Sequence, residues 1–458
     1  MTENTPMAYN KNMLDIKFIR ENLEICKQAA KNKNREVDWE KLLELDEERR
    51  KLIGEIEVKR AERNRQSTNK PINTNNPITS RSSGIHDAVD AHSSQTASGQ
   101  LSEKQRKQGK KLKGEIGRLE DKLRIAEKAF NELMMTVPNV PDRSVPVGKD
   151  ESGNKEIKKW GKVPKFDFKP LDHIELARKL DLVDFERGAK IGGFRTYFLK
   201  NEAAILELAV LFYTYQKLIN KGYTPLIAPS LVKEFTLVGN GQLPWGREEI
   251  YHMEKDNVFL AGTAEVPVTA YFANEVLNEK DLPKKFVAFS PCFRREAGSY
   301  GKDTRGLYRL HQFNKVEQVI INKNDYKGSL QLHEELLRNS EEVMQDLKLP
   351  YRVMLMCTGE MGEPQVKKYD IETWMPGRAA YGETMSNSFM GDFQARRLNI
   401  RYRASDGTIK FAHTLNNTAV ASPRILIAIL ENYQQKDGSV IVPEVLREFV
   451  GKERIRAI

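Results

Sequence analysis

Between Leu112 and Leu133 the apolar residues recur in alternating steps of four and three: Leu112, Ile116, Leu119, Leu123, Ala126, Phe130 and Leu133. That repeat confines all seven to one stripe of a helix, and the stripe needs a partner helix to cover it. An earlier helical stretch answers at compatible spacing with Leu42, Leu45, Leu52 and Ile56. Two long helices joined by one connector fold back on each other. The first part of the chain is therefore expected to be an antiparallel coiled-coil hairpin with the connector at its tip. Its helices should run from about Trp39 to Arg65 and from about Leu101 to Met135, where Pro138 and Pro141 stop the second. The connector, residues 66–100, is rich in Ser, Thr, Asn and Gly and too poor in apolar residues to bury a core, so it is expected to be a disordered or loosely ordered insert. One further amphipathic helix is expected ahead of the hairpin, from about Met13 to Ala30.

Charge along the hairpin is uneven. Lys59, Arg60, Arg63 and Arg65 lie toward the tip on one helix; Lys104, Arg106, Lys107, Lys110, Lys111 and Lys113 do so on the other. Glu40, Glu44, Asp46, Glu47 and Glu48 lie near the base. A basic tip suits a phosphate backbone, and a solvated coiled-coil surface explains the same pattern, so charge alone does not separate the two. The whole chain carries a formal net charge of +10, which fits a polyanionic partner without requiring one. No run of about 18 apolar residues exists, so no membrane span is expected. The start, MTENTPMAYNKNM, has no apolar core to serve as a secretory signal. Cys26, Cys292 and Cys357 are far apart and suggest neither disulfide nor metal pair, which points to a reducing, cytoplasmic home.

Past a polar, Gly- and Lys-rich linker the pattern changes. Residues 171–183 and 201–221 read as helices. Phe286–Phe289, Gln318–Asn322, Val353–Met356 and Asn399–Arg403 are short, alternating and strand-like. Strands interspersed with helices and hairpin loops imply an α+β domain with an antiparallel sheet. No Gly-x-Gly-x-x-Gly follows a strand and no Walker-type loop is present, so neither common nucleotide-binding fold is expected.

The stretch Phe293–Gln318, FRREAGSYGKDTRGLYRLHQFNKVEQ, gathers the groups a polyphosphate nucleotide needs. Arginine forks hold phosphate, an aromatic face stacks on a purine, and carboxylates read amines and hydroxyls. It reads together with Thr263-Ala264-Glu265, with Glu383-Thr384-Met385-Ser386, with DFQARR at 392–397 and with HTLNNTAVASPR at 413–424. This set resembles the seryl-tRNA synthetases, class II aminoacyl-tRNA synthetases of bacterial type, over nearly the whole chain. Residues 222–229 look like the dimer-forming first motif of that class, 293–318 like the second and 414–435 like the third.

The resemblance implies a division into a tRNA-binding helical arm (1–137, with the insert at 66–100), a linker (138–165) and a class II catalytic domain (166–458) whose antiparallel sheet is flanked by helices. It implies ATP-dependent activation of L-serine and transfer to tRNA(Ser), with tRNA(Sec) as a second acceptor where the organism has one. Arg294 would bind the α-phosphate and the serine carboxylate. Glu296 and Phe313 would hold the adenine, Arg309 the far phosphates, and Arg424 the other side of the triphosphate; Arg294, Glu296 and Arg424 are the catalytic set. Glu383 and Ser386 would ligate Mg²⁺, whose hard character suits oxygen ligands. Thr263 and Glu265 would take the serine ammonium, and Glu317, Asn416 and Thr418 the hydroxyl or its surroundings. A structural role is expected for His311, since the chemistry needs no base. No zinc is expected, and a homodimer is. Gly382 stands where many members have Arg, Ser386-Asn387-Ser388 where many have Ser-Cys-Ser, and TGEMG at 358–362 where Thr-Gly-Asp-Met-Gly is common. Two other classes would share some of these features: a relative that activates an amino acid without using tRNA, and a non-catalytic RNA-binding paralogue.

Overall fold

A computed structural model describes residues 15–67, 103–299, 303 and 305–457. The start at Met13 and nearly all of the expected insert at 66–100 lie outside those residues. The described chain divides into two compact units, residues 38–134 and the remainder.

The helix expected from Met13 to Ala30 is two helices, α1 (Ile16–Glu21) and α2 (Leu23–Asn32). Asn22, at φ −134°, breaks them; its amide N–H and side-chain amide both turn back to the Phe18 carbonyl. An amide side chain that competes for backbone groups ends a helix in this way. These two helices group with the larger unit, so the compact division begins later than the arm boundary drawn from sequence.

The smaller unit is a helical hairpin of α3 (Trp39–Ser67) and α4 (Glu103–Met134). Leu42, Leu45, Leu52 and Ile56 are buried, as are Leu112, Ile116, Ala126 and Phe130 from the expected stripe. Near the tip Lys59 pairs with Glu115 at 2.6 Å, while farther down Arg49 lies over the Phe130 ring at 4.6 Å. The partners advance in opposite directions along the two helices, which establishes the antiparallel pairing. Asp46 is buried because Arg49 and Arg50 both pair with it. Lys59 and Arg60 are engaged with Glu115 and Glu120 on the other helix.

The larger unit is built on an eight-stranded sheet. In chain order its strands are β1 (Lys155–Trp160), β2 (Thr224–Ile227), β3 (Lys284–Phe293), β4 (Gln312–Asn322), β5 (Tyr351–Leu355), β6 (Lys367–Met375), β7 (Ala380–Gly391) and β8 (His413–Ala421). Their spatial order is β1-β5-β6-β7-β8-β4-β3-β2, antiparallel throughout except for the parallel β2–β3 pair at one edge. The other edge, β1, falls within the stretch read as linker. KEIKKW is almost wholly exposed, so no buried face marked it as a strand. Charged edge strands of this kind discourage pairing with foreign strands.

The helices that frame the sheet are, in order, α5 (His173–Lys179), α6 (Phe185–Gly192), α7 (Asn201–Asn220), α8 (Glu234–Asn240), α9 (Glu265–Thr269), α10 (Tyr326–Asp346), α11 (Phe393–Leu398) and α12 (Ser422–Asn432). A full capping box starts α5: Asp172 accepts from the Glu175 N–H while Glu175 returns to the Asp172 N–H. The α12 helix is apolar nearly all round and lies in the core with Val316, Ile320, Leu336 and Ile371. Burying that face leaves the far ends of β3, β4, β7 and β8 to carry polar residues.

Candidate active site

The middle strands meet in one cleft, lined among others by Arg294, Glu296, Tyr308, Arg309, Phe313, Lys315, Glu383, Ser386, Thr418 and Arg424. Eight of the twelve candidate residues from the sequence are in that set, Glu317 and Thr263 are bonded to it directly, and Glu265 and Asn416 lie behind them.

Arg294 leaves β3 and turns its guanidinium over the Phe313 ring, 5.3 Å from the centroid, while Nε donates to the Gly262 carbonyl at 3.3 Å. His311 supports this turn. Its Nδ1 lies 3.0 Å from the Arg294 carbonyl, and its own carbonyl accepts the Arg294 N–H. Glu296 occupies the left-handed region at φ +56°, an uncommon conformation for a side-chain-bearing residue and one that collects at functional sites. Its carboxylate meets Arg309 at 3.1 Å, and Arg309 also reaches Asp303 at 3.4 Å.

Glu383 and Ser386 are three apart on a strand, a spacing that ordinarily sends side chains to opposite faces. The register resolves this. Ile371 pairs with Met385 but Glu372 pairs with Glu383, so Thr384 is an extra residue in a β-bulge. Met385 joins the hydrophobic core and the Thr384 hydroxyl is buried against that of Thr373 at 2.8 Å, while Glu383 and Ser386 both line the cleft. Burial would raise the Glu383 pKa. The Arg424 guanidinium 3.1 Å away, together with Lys368, outweighs it and holds the carboxyl down to about 2. Arg424 also donates to the Glu383 and Tyr308 carbonyls. Behind this pair the half-buried Lys368 and the buried Asp370 form an ion pair at 3.0 Å. Burial pushes Asp370 up to about 6 against the pull of Lys368.

Tyr308 lies between two guanidiniums, Arg378 and Arg424, each 4.4 Å from its centroid. A Cβ at Gly382 would come within 3.0 Å of the Tyr308 hydroxyl and 3.1 Å of the Met375 sulfur. Gly382 therefore makes room for Tyr308, and Arg378 supplies a cation on that side of the cleft. Asn387, the other departure, is buried and donates to the His333 carbonyl at 2.9 Å.

Two buried contacts position both lips of the cleft. Glu431 of α12 accepts the His173 and Gly377 amides at 2.9 and 2.8 Å and faces His173 Nδ1 at 2.9 Å. His173 Nε2 accepts the Leu307 N–H at 3.2 Å, so the ring proton sits on Nδ1 and is donated to Glu431. Gly306, at φ +80°, lies so close that a Cβ would meet His173 Nε2 at 2.2 Å. The backbone on either side of Tyr308 and Arg378 thus hangs on one carboxylate.

The floor is a polar network. Glu317 is fully buried and accepts from Lys315 at 2.6 Å, Asn416 at 3.0 Å and Thr418 at 3.1 Å. Lys315 also donates to Thr263 at 2.6 Å. Glu265 accepts from Asn240 and Gln394 on one oxygen and from Asn416 on the other. Burial, then the nearby Glu317 charge, raises the Glu265 pKa above the ordinary carboxylate value. Asn416 Oδ1 is buried without a partner among the described residues, an acceptor that an arriving donor would satisfy.

Sequence reasoning missed Lys315, Tyr308, Arg378, Lys368 and Asp370. Lys315 carried a usable signal, since it stands two residues before Glu317 and shares its strand face.

Comparison with known proteins follows the same division. Residues 249–433 match the tRNA synthetase class II core domain (G, H, P, S and T), and residues 13–77 match the seryl-tRNA synthetase N-terminal domain. A serine–tRNA ligase of Deinococcus radiodurans is 44% identical over 443 residues, covering 97% of this chain and 99% of its own. That of Thermodesulfovibrio yellowstonii is 44% identical over 446 residues, covering 97% and 100%. Among solved structures, seryl-tRNA synthetase from Pyrococcus horikoshii complexed with ATP superposes with a TM-score of 0.83 at 37% identity, covering 97% of this chain and 100% of its own.

Proposed function

The chain belongs to the seryl-tRNA synthetase family, and from that premise we propose that its cleft converts L-serine and ATP to seryl-adenylate and passes the seryl group to tRNA(Ser). The observation that carries this reading is the buried floor, where two carboxylates and Asn416, whose Oδ1 has no partner among the described residues, lie beneath a cleft walled by arginines.

In this reading the serine carboxylate attacks the α-phosphorus and pyrophosphate leaves. Arg294 neutralises the α-phosphate, and Arg309 and Arg424 take the outer phosphates. Phe313 and Glu296 receive the adenine, beside Arg294 and Arg309, which contact them in the structure. A divalent cation, Mg²⁺ by the hardness of its ligands, would be held by Glu383 and Ser386 and would offset phosphate charge. The pair fits it: the bulge turns both oxygens into the cleft, and Glu383 stays ionised. Thr263 and Glu265 take the serine ammonium, with Glu317, Asn416 and Thr418 at its hydroxyl. Buried polar groups that would be left unpaired by alanine give selectivity on the order of 10⁴. The terminal ribose hydroxyl of the tRNA then attacks the acyl carbon and AMP leaves.

The α3–α4 hairpin serves as the tRNA-binding arm and reads RNA shape and backbone rather than bases. The α7 face bearing Leu208 and Phe212, together with Ile227 on edge strand β2, is apolar and exposed, which supports a homodimer through this face. No helix among the described residues is long and apolar enough to cross a membrane, in keeping with a cytoplasmic site of action. tRNA(Sec) belongs among the acceptors to be assayed.

Replacing residues 38–134 by a Gly/Ser connector tests the division of labour. Serine-dependent pyrophosphate exchange should persist and charging of tRNA(Ser) should be lost. Equal loss of both activities would refute it.

A further inference from the structure

The DFQARR stretch at 392–397 lies behind the cleft, mostly on α11, yet one of its side chains reaches the floor. The α11 helix is held close against α8. A Cβ at Gly239 would lie 2.1 Å from the Leu398 Cδ2, so only glycine lets the two helices approach this far. Arg397 donates to the Val238 and Leu243 carbonyls at 3.0 and 3.3 Å. Three residues earlier, on the same helix face, Gln394 donates to the Asn240 carbonyl at 3.0 Å. The end of α8 is thus fixed on α11.

Gln394 is buried, and its amide can point only one way. Nε2 donates to Glu265 Oε1 at 2.8 Å as well as to the Asn240 carbonyl, and Oε1 accepts the Thr414 hydroxyl at 2.6 Å. Inverted, the amide would turn its oxygen onto a carboxylate and a carbonyl, setting acceptor against acceptors. Thr414, wholly buried on β8, therefore locks the orientation from behind. Asn240 Nδ2 donates to the same Glu265 oxygen at 3.0 Å, which fills it. Asn416 takes one site on Oε2 at 3.0 Å, so among the described residues a single acceptor site on Oε2 is left open. The charges acting on Glu265 come from Glu317 and Lys315 on β4, while α8, α11 and β8 present the amides of Asn240, Gln394 and Asn416. Burial and Glu317 favour the neutral acid; the Gln394 bond leads the groups that favour the carboxylate, followed by Lys315 and Asn240.

We propose that Gln394, locked by Thr414, is a positioning residue for serine: it holds the Glu265 carboxylate with one Oε2 site aimed at the substrate ammonium. Gln394 touches neither serine nor ATP in this arrangement and acts only through Glu265. The proposal rests on the reading that Glu265 takes the serine ammonium.

The test measures pyrophosphate exchange by the full-length protein, varied in serine, in ATP and in pH, for wild type, Gln394→Met, Thr414→Val, Thr414→Ser and Glu265→Gln. Gln394→Met keeps the side-chain length and removes both donors. It should raise the serine KM about 10–100-fold, the loss of a hydrogen bond to a charged group, and leave the ATP KM within about 2-fold. Losing a donor to the carboxylate favours its protonated form, so the acid limb of kcat/KM for serine should move to higher pH. Thr414→Val should raise the serine KM about 3–10-fold, and Thr414→Ser, which restores the hydroxyl, should return it to near wild type. A parallel rise in the serine and ATP KM values, or an acid limb that stays in place, would assign Gln394 to the α8–α11 packing alone and overturn the proposal. Should Gln394→Met not fold, the Thr414 pair decides: equal serine KM values for the valine and serine variants overturn it. Glu265→Gln separates the parent reading. A raised serine KM there with none in Gln394→Met removes this proposal only, whereas an unchanged serine KM in Glu265→Gln removes the assignment of Glu265 and this proposal with it.

Discussion

Replacing Glu317 by Gln changes few atoms at a position with no exposure, and the consequences can be worked from its three donors. A carboxylate accepts from Lys315, Asn416 and Thr418 at once. A glutamine offers one acceptor oxygen and turns an NH₂ either onto the Lys315 ammonium or onto the Asn416 amide, so each orientation sets donor against donor. Removing one partner of a buried ion pair costs about 3–5 kcal/mol. Lys315 keeps its 2.6 Å bond to Thr263, so a stability loss nearer the low end, about 3 kcal/mol, is expected. Serine loses one charge-assisted bond, about 1.5–3 kcal/mol, which is roughly 10–150-fold in kcat/KM for serine. ATP touches none of these groups in the proposed arrangement, so its KM should stay within about 2-fold. Pyrophosphate exchange, varied first in serine and then in ATP, separates the two. A parallel rise in both KM values, or an unchanged serine term, would refute the assignment of Glu317 to the amino acid.

Lys33 is buried and donates to the carbonyls of Gly362, Glu363 and Gln365, so Lys33→Met should strand three acceptors and cost about 3 kcal/mol in denaturant unfolding. Glu431→Gln turns an NH₂ toward donors that now point at a carboxylate; it should loosen the 305–309 loop and the 376–378 turn together and raise ATP KM about 10-fold, with serine KM little changed. For Glu383, whose folded pKa lies below its unfolded value, the paired state stabilises the fold above the ordinary carboxylate pKa. The stability difference between wild type and Glu383→Gln should therefore hold from neutral pH to about pH 4.5 and shrink as pH falls toward about 2, as followed by unfolding midpoints.

The hairpin was legible because a heptad leaves little choice of partner; four of the seven positions named on α4, Leu112, Ile116, Ala126 and Phe130, are buried, and Leu119, Leu123 and Leu133 are half-buried. Strand β1 was not legible, because an exposed edge of charged residues carries no alternation to read. The bulge at Thr384 was equally silent: nothing in ETMS says that one residue drops out of register, yet that one residue brings Glu383 and Ser386 to the same face. Candidate site residues could be named because a resemblance supplied their roles, while the residues that orient them, His173 and Glu431, lie 258 positions apart and meet only in the fold. Lys315 marks the middle case. Its two-residue offset from Glu317 was in plain view, but an alternating lysine reads first as a solvated outward face.

The central claim is that the buried floor selects serine for adenylation. Pyrophosphate exchange by the purified full-length protein with ATP and Mg²⁺, comparing serine with alanine, threonine, cysteine and glycine, tests it most directly. The account predicts exchange with serine and rates at least about 10³-fold lower in kcat/KM with alanine. Exchange with none of the five in folded protein, or with alanine as readily as serine, would contradict it.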